Sequence, residues 1–406
     1  MDSALVDLLK LLVILGVTVL LLLKKWDLGL VLLLNTFLVA VLFAYPIAAW
    51  AGSVLRGAIA IDTLNLAGAV YLVLVLAELM RRTHAMEDMV AALQGLVPDS
   101  RITLAVMPLL IGLMPMLGGA MFSAPMVNEV GDRIQVSPER KTFVNYWFRH
   151  AMEYVFPLYP SLLMMAALLR VSVYEFVQVS WPLAVVALLA GVLWGVAGIG
   201  QHTQSASLQA GGAARRMLLR STWPLVLVVL AVVVLRLPMV LSLIGVSMLY
   251  VAVTRVSPRH WGAVLRRSFP LGTFSAIFGV MIFKHVVEDA AAVSRIPQAL
   301  SALGLPPLLI AFTVPMLVGL LTGTAAAALA LSVPVVTPLL TGGQFGVLDA
   351  GIWLFVGGFS GVLLSPLHLC LALTKEYFEA NWGPLYARIV PSVALVIVAA
   401  GGLLLL

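Results

Sequence analysis

His84-Ala85-Met86-Glu87-Asp88 recurs about 200 residues later as His285-Val286-Val287-Glu288-Asp289. Pro115-Met116-Leu117 recurs at almost the same offset as Pro315-Met316-Leu317. The shared offset indicates an internal repeat. This offset is close to half of the 406-residue chain, as in a tandem duplication. In a membrane protein, a repeat of this size is typical of secondary transporters, many of which are built from two inverted-topology repeats. We therefore predict one inverted repeat over residues 1–203 and a second over residues 204–406.

The composition is that of a multi-pass membrane protein. Hydrophobic residues make up 62% of the chain and charged residues only 10%, whereas soluble domains carry about 25% charge. The net charge of +6 is not a nucleic-acid signal, because the basic residues lie in short clusters between apolar runs, as topology determinants do. We predict localisation in the inner (cytoplasmic) membrane, with the lipid bilayer and a small-molecule solute as partners and no nucleic acid.

The predicted fold is all-α and polytopic, with about ten transmembrane helices, two re-entrant helical hairpins and two discontinuous helices. The first repeat holds a hairpin at 103–130 and a broken helix at 142–170, and the second repeat holds a hairpin at 306–340 and a broken helix at 350–374. The other predicted spans lie at 4–23, 28–49, 64–81, 181–199, 219–235, 238–255, 269–286 and 387–406. The basic clusters lie on one side of the membrane only if each hairpin returns to the side from which it enters. Each half then has an odd number of spans, so the halves are inverted.

The broken segments are the best indicators of a binding site, because lipid cannot satisfy backbone polar groups that leave a helix. At the first hairpin, Gly118 and Gly119 permit a tight reversal. Ser123 offers a hydroxyl near the tip, and Asn128 lies on the returning arm. The structural alternative is helix packing through small residues.

In the first broken helix, Pro157 and Pro160 remove two backbone donors. The carbonyls freed near Tyr159 can coordinate a cation, with sodium as the candidate ion. The N-terminus of the half-helix that begins near Ser161 can face an anion. The alternative is a simple proline kink.

The second hairpin carries Thr322-Gly323-Thr324, which gives two hydroxyls and exposed amides at an apolar turn. The alternative is that both hydroxyls bond their own helix. The second broken helix is marked by Ser365, Pro366 and His368. His368 can titrate near neutral pH and couple transport to protons, or it can be a hydrogen-bonding residue of a polar cavity.

Two further features have both functional and structural interpretations. Glu153 is an acidic residue in an apolar span and therefore a coupling candidate, although its spacing from Arg149 also suits an ion pair at the cytoplasmic interface. The repeated His-x-x-Glu-Asp segments could bind a metal, but capping and hinge residues before each hairpin are the favoured interpretation. The single cysteine, Cys370, excludes an intrachain disulfide and a cysteine-rich metal site, and we predict that it is a packing residue.

The segment Gly361-Val-Leu-Leu-Ser365-Pro366-Leu-His368-Leu-Cys370-Leu-Ala-Leu-Thr374-Lys-Glu376-Tyr377-Phe378 resembles an uncharacterised bacterial and archaeal membrane family of the ion transporter superfamily. That superfamily includes carriers for dicarboxylates, citrate and gluconate. The resemblance implies hairpin tips and helix breaks that meet near the membrane midplane, and a homodimer whose transport domains slide past fixed scaffolds. The chain departs from the dicarboxylate carriers, which have Ser-Asn-Thr at both tips, since it has Gly-Gly-Ala-Met-Phe-Ser and Thr-Gly-Thr instead.

These observations favour a symporter for a small anionic organic solute, driven by sodium or protons through an elevator mechanism. The second hypothesis is an integral membrane enzyme or lipid-handling protein that uses His84, Glu87, His285 and Glu288. In the predicted topology these two groups lie on opposite membrane faces, which argues against it. A passive channel is the third hypothesis.

Overall fold

A computed structural model describes residues 3–97, 99–114, 119–200, 211–290, 304–341 and 345–405. The described part is all-helical, and six of its helices are long and apolar enough to cross a membrane. They are Ile61–Arg82, Val173–Val196, Gly212–Val234, Leu271–Asp289, Val347–Tyr377 and Trp382–Leu403. The predicted class, an all-α polytopic membrane protein, is confirmed. The remaining predicted spans correspond to shorter apolar helices, so the count of ten crossings stays a prediction.

The described residues of the first half form ten α-helices. They are α1 (Ser3–Leu23), α2 (Leu28–Leu42), α3 (Ile47–Ile59), α4 (Ile61–Arg82), α5 (Ala85–Leu96), α6 (Ser100–Gly112), α7 (Gly119–Arg133), α8 (Pro138–Ala151), α9 (Pro160–Leu169) and α10 (Val173–Gly191). A single span predicted at 28–49 is instead two short helices, α2 and α3. Pro46 lacks the amide that would continue α2 and disfavours helical geometry at Tyr45.

The second half continues the order with nine helices in its described residues. They are α11 (Gly211–Val229), α12 (Met239–Thr254), α13 (Trp261–Arg267), α14 (Leu271–Asp289), α15 (Pro307–Thr322), α16 (Ala325–Thr341), α17 (Val347–Leu364), α18 (Leu369–Tyr377) and α19 (Trp382–Leu403). Residues 115–118, which include the predicted site residue Gly118, lie outside the described residues, as do 201–210 of the predicted linker and the stretch 291–303.

The two predicted hairpins are the helix pairs α6–α7 and α15–α16, and in each pair the arms pack on one another. The first arm of each pair packs on the next long helix of its own half, α6 on α8 and α15 on α17. The return arms cross over, since α7 packs on α18 and α16 packs on α9. The two halves therefore share one core.

Glycines allow α15 and α17 to approach at backbone distance. A Cβ placed on Gly357 would lie 2.6 Å from the carbonyl oxygen of Phe312, and one on Gly361 would overlap the carbonyl of Met316. Small residues at helix contacts are the usual means of close packing in membranes, where hydrophobic transfer gives no driving force. This packing fixes the second hairpin against the second broken helix.

Candidate functional site

The first helix break separates α8 from α9. Helix α8 ends at Ala151, a 3-10 turn covers Met152–Tyr154, and α9 begins at Pro160. Pro157 cannot donate a helical hydrogen bond, and Pro160 takes the first position of α9, where a missing amide costs nothing. The break therefore lies where the two prolines predict it.

The second break separates α17 from α18 at Ser365–His368. Some carbonyls freed here already have partners, because the hydroxyl of Tyr146 donates to Leu363 O at 3.1 Å and that of Tyr386 donates to Leu364 O at 2.8 Å. These tyrosines satisfy backbone groups that the end of a helix leaves open.

The tip of the second hairpin contacts the second break directly. Gly323 has φ +66°, a conformation that favours glycine, and a Cβ at this position would lie 2.7 Å from the backbone nitrogen of His368. The carbonyl oxygen of Gly323 accepts a hydrogen bond of 2.7 Å from Nδ1 of His368. Ser365 adds a second link, since its hydroxyl donates to Leu320 O at 2.6 Å.

The first hairpin is held at the first break by longer side chains. The Tyr159 hydroxyl lies 2.6 Å from Gly112 O and 2.9 Å from Arg149 O. The guanidinium group of Arg149 lies so close to Gly119 that a Cβ there would overlap it. Side chains of α8 and of the first break thus contact the first hairpin at Gly112 and at Gly119, on either side of residues 115–118.

A buried polar centre connects the two breaks. Nδ1 of His150 lies 3.1 Å from the Glu153 carboxylate, which also accepts from the Ser161 hydroxyl at 2.7 Å. Nε2 of His150 lies 3.3 Å from Nε2 of His368. His150, Glu153 and Ser161 are each at most 8% exposed. Polar contacts therefore run from Ser161 at the first break, through Glu153, His150 and His368, to Gly323 at the tip of the second hairpin.

Glu153 is enclosed by the protein, and its ion pair with Arg149 at the cytoplasmic interface stays a prediction. It is buried and hydrogen-bonded to His150 and Ser161. His150 is also enclosed by aromatic rings, with the Tyr146 ring centroid at 5.0 Å and the Phe359 centroid at 6.2 Å. The carboxylate is thus part of a low-dielectric centre, where each hydrogen bond is strengthened.

The predicted site residues do not all meet at this centre. Ser123 donates to carbonyls of its own helix, at 3.4 Å to Gly119 and 3.2 Å to Ala120, and Thr322 donates to Val318 O at 2.7 Å. Asn128 accepts from Lys141, which also pairs with Asp132. Asn128 therefore belongs to a separate polar cluster between α7 and α8.

A cavity of about 480 Å³ borders the centre. Its lining residues are Leu22, Trp26, Leu28, Leu66, Val70, Pro160, Met164, Gly272, Thr273, Ala276, Ile277, Thr322, Thr324 and Ala326. Pro160 is the first residue of α9, and Thr324 directly precedes α16, so two helix N-termini meet at this cavity. None of these described lining residues carries a charge. We refer to it as the central cavity.

A second cavity, of about 750 Å³, lies toward the C-terminal end of α9. It contains charged residues of both signs, including Asp62, Arg170 and Arg236, and shares one lining residue, Leu66, with the central cavity. Arg170 pairs with Glu288 at 2.8 Å, and Arg236 lies over the Tyr174 ring. We refer to it as the charged cavity.

Sequence reasoning missed His150 and Cys370 as members of the centre. Cys370, predicted as a packing residue, has its sulfur within 4.8 Å of ring nitrogens of His150 and His368. The available signals were a histidine three residues before Glu153 and the His-x-Cys spacing at the second break.

The repeated His-x-x-Glu-Asp segments are not part of the centre. His84 precedes α5 and lies 3.7 Å from Glu87, whereas His285 is within α14. In the second copy, Glu288 pairs with Arg170 and Asp289 with Arg56. Within the described ranges, the only group of three metal-ligating side chains contains neither copy.

The profile of a family described as "Protein of unknown function (DUF401)" matches residues 2–406. The chain belongs to the DUF401 family. No curated protein matches this DUF401 chain. The match agrees with the resemblance to an uncharacterised family, and the place of that family in the ion transporter superfamily stays a prediction.

Among solved structures, the crystal structure of the Alcanivorax borkumensis YdaH transporter, whose topology is described as unusual, is similar to this DUF401 protein. The TM-score is 0.66 at 15% sequence identity, and the match covers 96% of this chain and 97% of that chain. At this identity the similarity establishes a shared fold over nearly the whole length of both proteins.

Proposed function

We propose that this protein is a secondary active transporter of a small anionic organic solute, driven by a sodium or proton gradient. The observation that carries the proposal is the central cavity, where the N-termini of α9 and α16 meet beside the buried polar centre. The shared fold with the YdaH transporter supports it.

The chemistry of the central cavity favours an anion. Each helix N-terminus carries a partial positive charge of about +0.5 and free amide donors. No side chain caps α9, since Tyr159 makes no side-chain capping bond. The volume of about 480 Å³ suits a small organic molecule, and the apolar walls contributed by Leu22, Trp26 and Met164 suit its carbon skeleton.

The walls of the central cavity also support an elevator mechanism. One wall is formed by α9 and the second hairpin, through Pro160, Thr322 and Thr324. The opposite wall is formed by α1, α2, α4 and α14, through residues such as Leu28 and Ile277. In this proposal the hairpins and broken helices move as the transport domain past the other helices, which form the scaffold of a homodimer in the inner membrane. The two sequence repeats are proposed to be related by inverted topology.

Glu153 and His368 are the candidates for coupling. Glu153 is one of two buried carboxylates in the described chain, and the other, Asp7, pairs with Lys10 within α1. Ser161 connects Glu153 to the first turn of α9, which borders the central cavity. An ion bound at this carboxylate would therefore be linked to the solute through one hydroxyl.

The charged cavity is the proposed access route. Leu66 of α4 lines both cavities and is only 4% exposed, so the two cavities adjoin at this buried side chain. Charged residues at the mouth of a pathway attract and concentrate ionic solutes. Widening the passage through Leu66→Ala should speed solute entry, whereas Leu66→Trp should obstruct it.

Uptake by proteoliposomes tests the proposal. A panel of radiolabelled mono-, di- and tricarboxylates is offered under an imposed sodium gradient, an imposed proton gradient, or neither. We expect concentrative uptake of at least one anion under one gradient, saturable and competed by related anions. Failure of every solute to move in either direction would refute a carrier function, and currents far above carrier turnover would indicate a channel.

A further inference from the structure

We propose that His150, His368 and Cys370 form a binding site for one thiophilic transition-metal ion of the zinc class. Their ligand atoms lie within 4.8 Å of one another, and the two histidine Nε2 atoms are 3.3 Å apart. The proposal is independent of the transport proposal, because it concerns a bound ion and holds whether or not a solute is carried.

Hydrogen bonding fixes which ring nitrogens are free to bind a metal. Nδ1 of His368 contacts the Gly323 carbonyl, which can only accept, so this nitrogen carries the hydrogen. Nδ1 of His150 contacts the Glu153 carboxylate and carries its hydrogen for the same reason. In the neutral rings, both Nε2 atoms are then left with lone pairs that face one another. A cation between them removes this repulsion.

The spacing suits tetrahedral coordination. Two nitrogens that are each about 2.0–2.1 Å from a zinc ion lie about 3.3–3.4 Å apart in a tetrahedron, which agrees with the observed 3.3 Å. A thiolate ligand would lie about 3.6 Å from each nitrogen. Cys370 is in the first turn of α18, and a movement of at most about 1.3 Å brings its sulfur from within 4.8 Å of the nitrogens into place.

The surroundings of the two rings also match a metal site. Metal-bound histidines nearly always donate their other ring hydrogen to a carboxylate or a backbone carbonyl, which orients the ring. Here Glu153 does so for His150, and Gly323 does so for His368. Three protein ligands leave a fourth position for water or an anionic group.

The three ligands come from elements that the sequence places far apart. His150 is in α8, whereas His368 and Cys370 lie at the second break, next to the tip of the second hairpin. A bound ion would therefore tie α8 to the second hairpin through His368 and Gly323. Zinc should stabilise the folded protein by mass action, with a stabilisation that grows as the logarithm of its concentration relative to Kd.

The test is metal binding by the purified full-length protein in detergent after removal of metals with a chelator. Co²⁺ is titrated while absorption is recorded, and Zn²⁺ is then added to displace it. We expect one ion per chain and a sulfur-to-cobalt charge-transfer band, which Cys370→Ser abolishes. His150→Gln and His368→Gln should weaken binding by more than about 100-fold, and Glu153→Gln by about 10–100-fold, as for an outer-shell partner.

His285→Gln is the matched control, because it removes a partly buried histidine from α14 that lies outside the cluster. It should leave the affinity unchanged. Unfolding midpoints in detergent show whether each variant is folded, and Zn²⁺ should raise the midpoint of the wild type but not of folded Cys370→Ser. The proposal is wrong if the wild type binds no Co²⁺ or Zn²⁺, or if folded Cys370→Ser and His368→Gln bind as tightly as the wild type. A proton shared between the two rings would give the first of these results.

Discussion

The two hairpins are anchored in different ways. The tip of the second is clamped at Gly323, which leaves no room for a side chain and whose carbonyl accepts from the His368 ring. The first meets the first break at Gly112, where a Cβ would lie 2.4 Å from the Arg149 carbonyl oxygen, and it is also held by two long side chains, with Tyr159 on the Gly112 carbonyl and Arg149 against Gly119. Both hairpins therefore have a close backbone contact with a helix break, and the first has the longer side-chain contacts in addition.

The hairpins also differ in their relation to the central cavity. Thr322, Thr324 and Ala326 of the second hairpin line it, whereas none of the described residues of α6 or α7 does. The second hairpin is thus the one beside the proposed solute, and the described arms of the first lie away from it. We expect changes at the second hairpin to affect transport most.

The largest effect is expected for Gly323→Ala. A left-handed conformation costs a residue other than glycine about 1–2 kcal/mol, and here the new methyl group would also meet His368 and Leu367. Uptake should fall more than about tenfold, and the unfolding midpoint in detergent should drop. Gly304→Ala is the control, because Gly304 has φ +65° but no neighbour within 4 Å. Equal losses for both variants would show that the clamp is unimportant.

The next effect concerns two buried serines with different bonds. Ser365→Ala removes the donor to Leu320 O and should destabilise the protein by about 1–3 kcal/mol. Ser123→Ala removes only bonds to its own helix and should cost less than about 1 kcal/mol. Denaturant or thermal unfolding of both variants measures the difference. A greater loss for Ser123→Ala would mean that the first hairpin is the more tightly anchored one.

A smaller effect, on the rate of local hydrogen exchange, should distinguish the two hairpins. Tyr159→Phe loses the bond to Gly112 O, at a cost of about 0.5–1.5 kcal/mol, and should speed hydrogen exchange in α6. Tyr386→Phe loses an equivalent bond to Leu364 O at the second break. It should have a similar stability cost but leave exchange in α6 unchanged. Unaltered exchange in the first variant would contradict the anchoring role of Tyr159.

The smallest effect is expected for Thr322→Val. Its hydroxyl donates its hydrogen to Val318 O, so it has no donor left for an anion in the central cavity. Uptake should change by less than about twofold, which corresponds to about 0.4 kcal/mol. A loss of tenfold or more would show that this hydroxyl turns toward the solute during transport.

Local features of the fold could be predicted from the sequence. Prolines and glycines marked both breaks and the second hairpin, because a missing amide or a positive φ is a property of the residue itself. The division of 28–49 into α2 and α3 had an equally local cause in Pro46, and a stricter use of the same rule would have found it. The Thr322 hydroxyl bonds its own helix, which is the structural alternative that the sequence offered for it.

The polar centre could not be predicted in this way. His150 and His368 are 218 residues apart and meet because α8 of the first half packs on α18 of the second. The position of Asn128 in a separate cluster has a related reason, since its contact with Lys141 depends on how α7 is rotated against α8. Spacing along the chain does not encode either relation.

The crossover of the return arms has a consequence for biogenesis. When the first half leaves the ribosome, α7 and α9 still lack the surfaces of α18 and α16 that cover them. The newly inserted half must therefore wait, with these helix surfaces uncovered, until synthesis has passed residue 377. A gene cut at the linker should yield two fragments that are degraded when made alone and survive when made together.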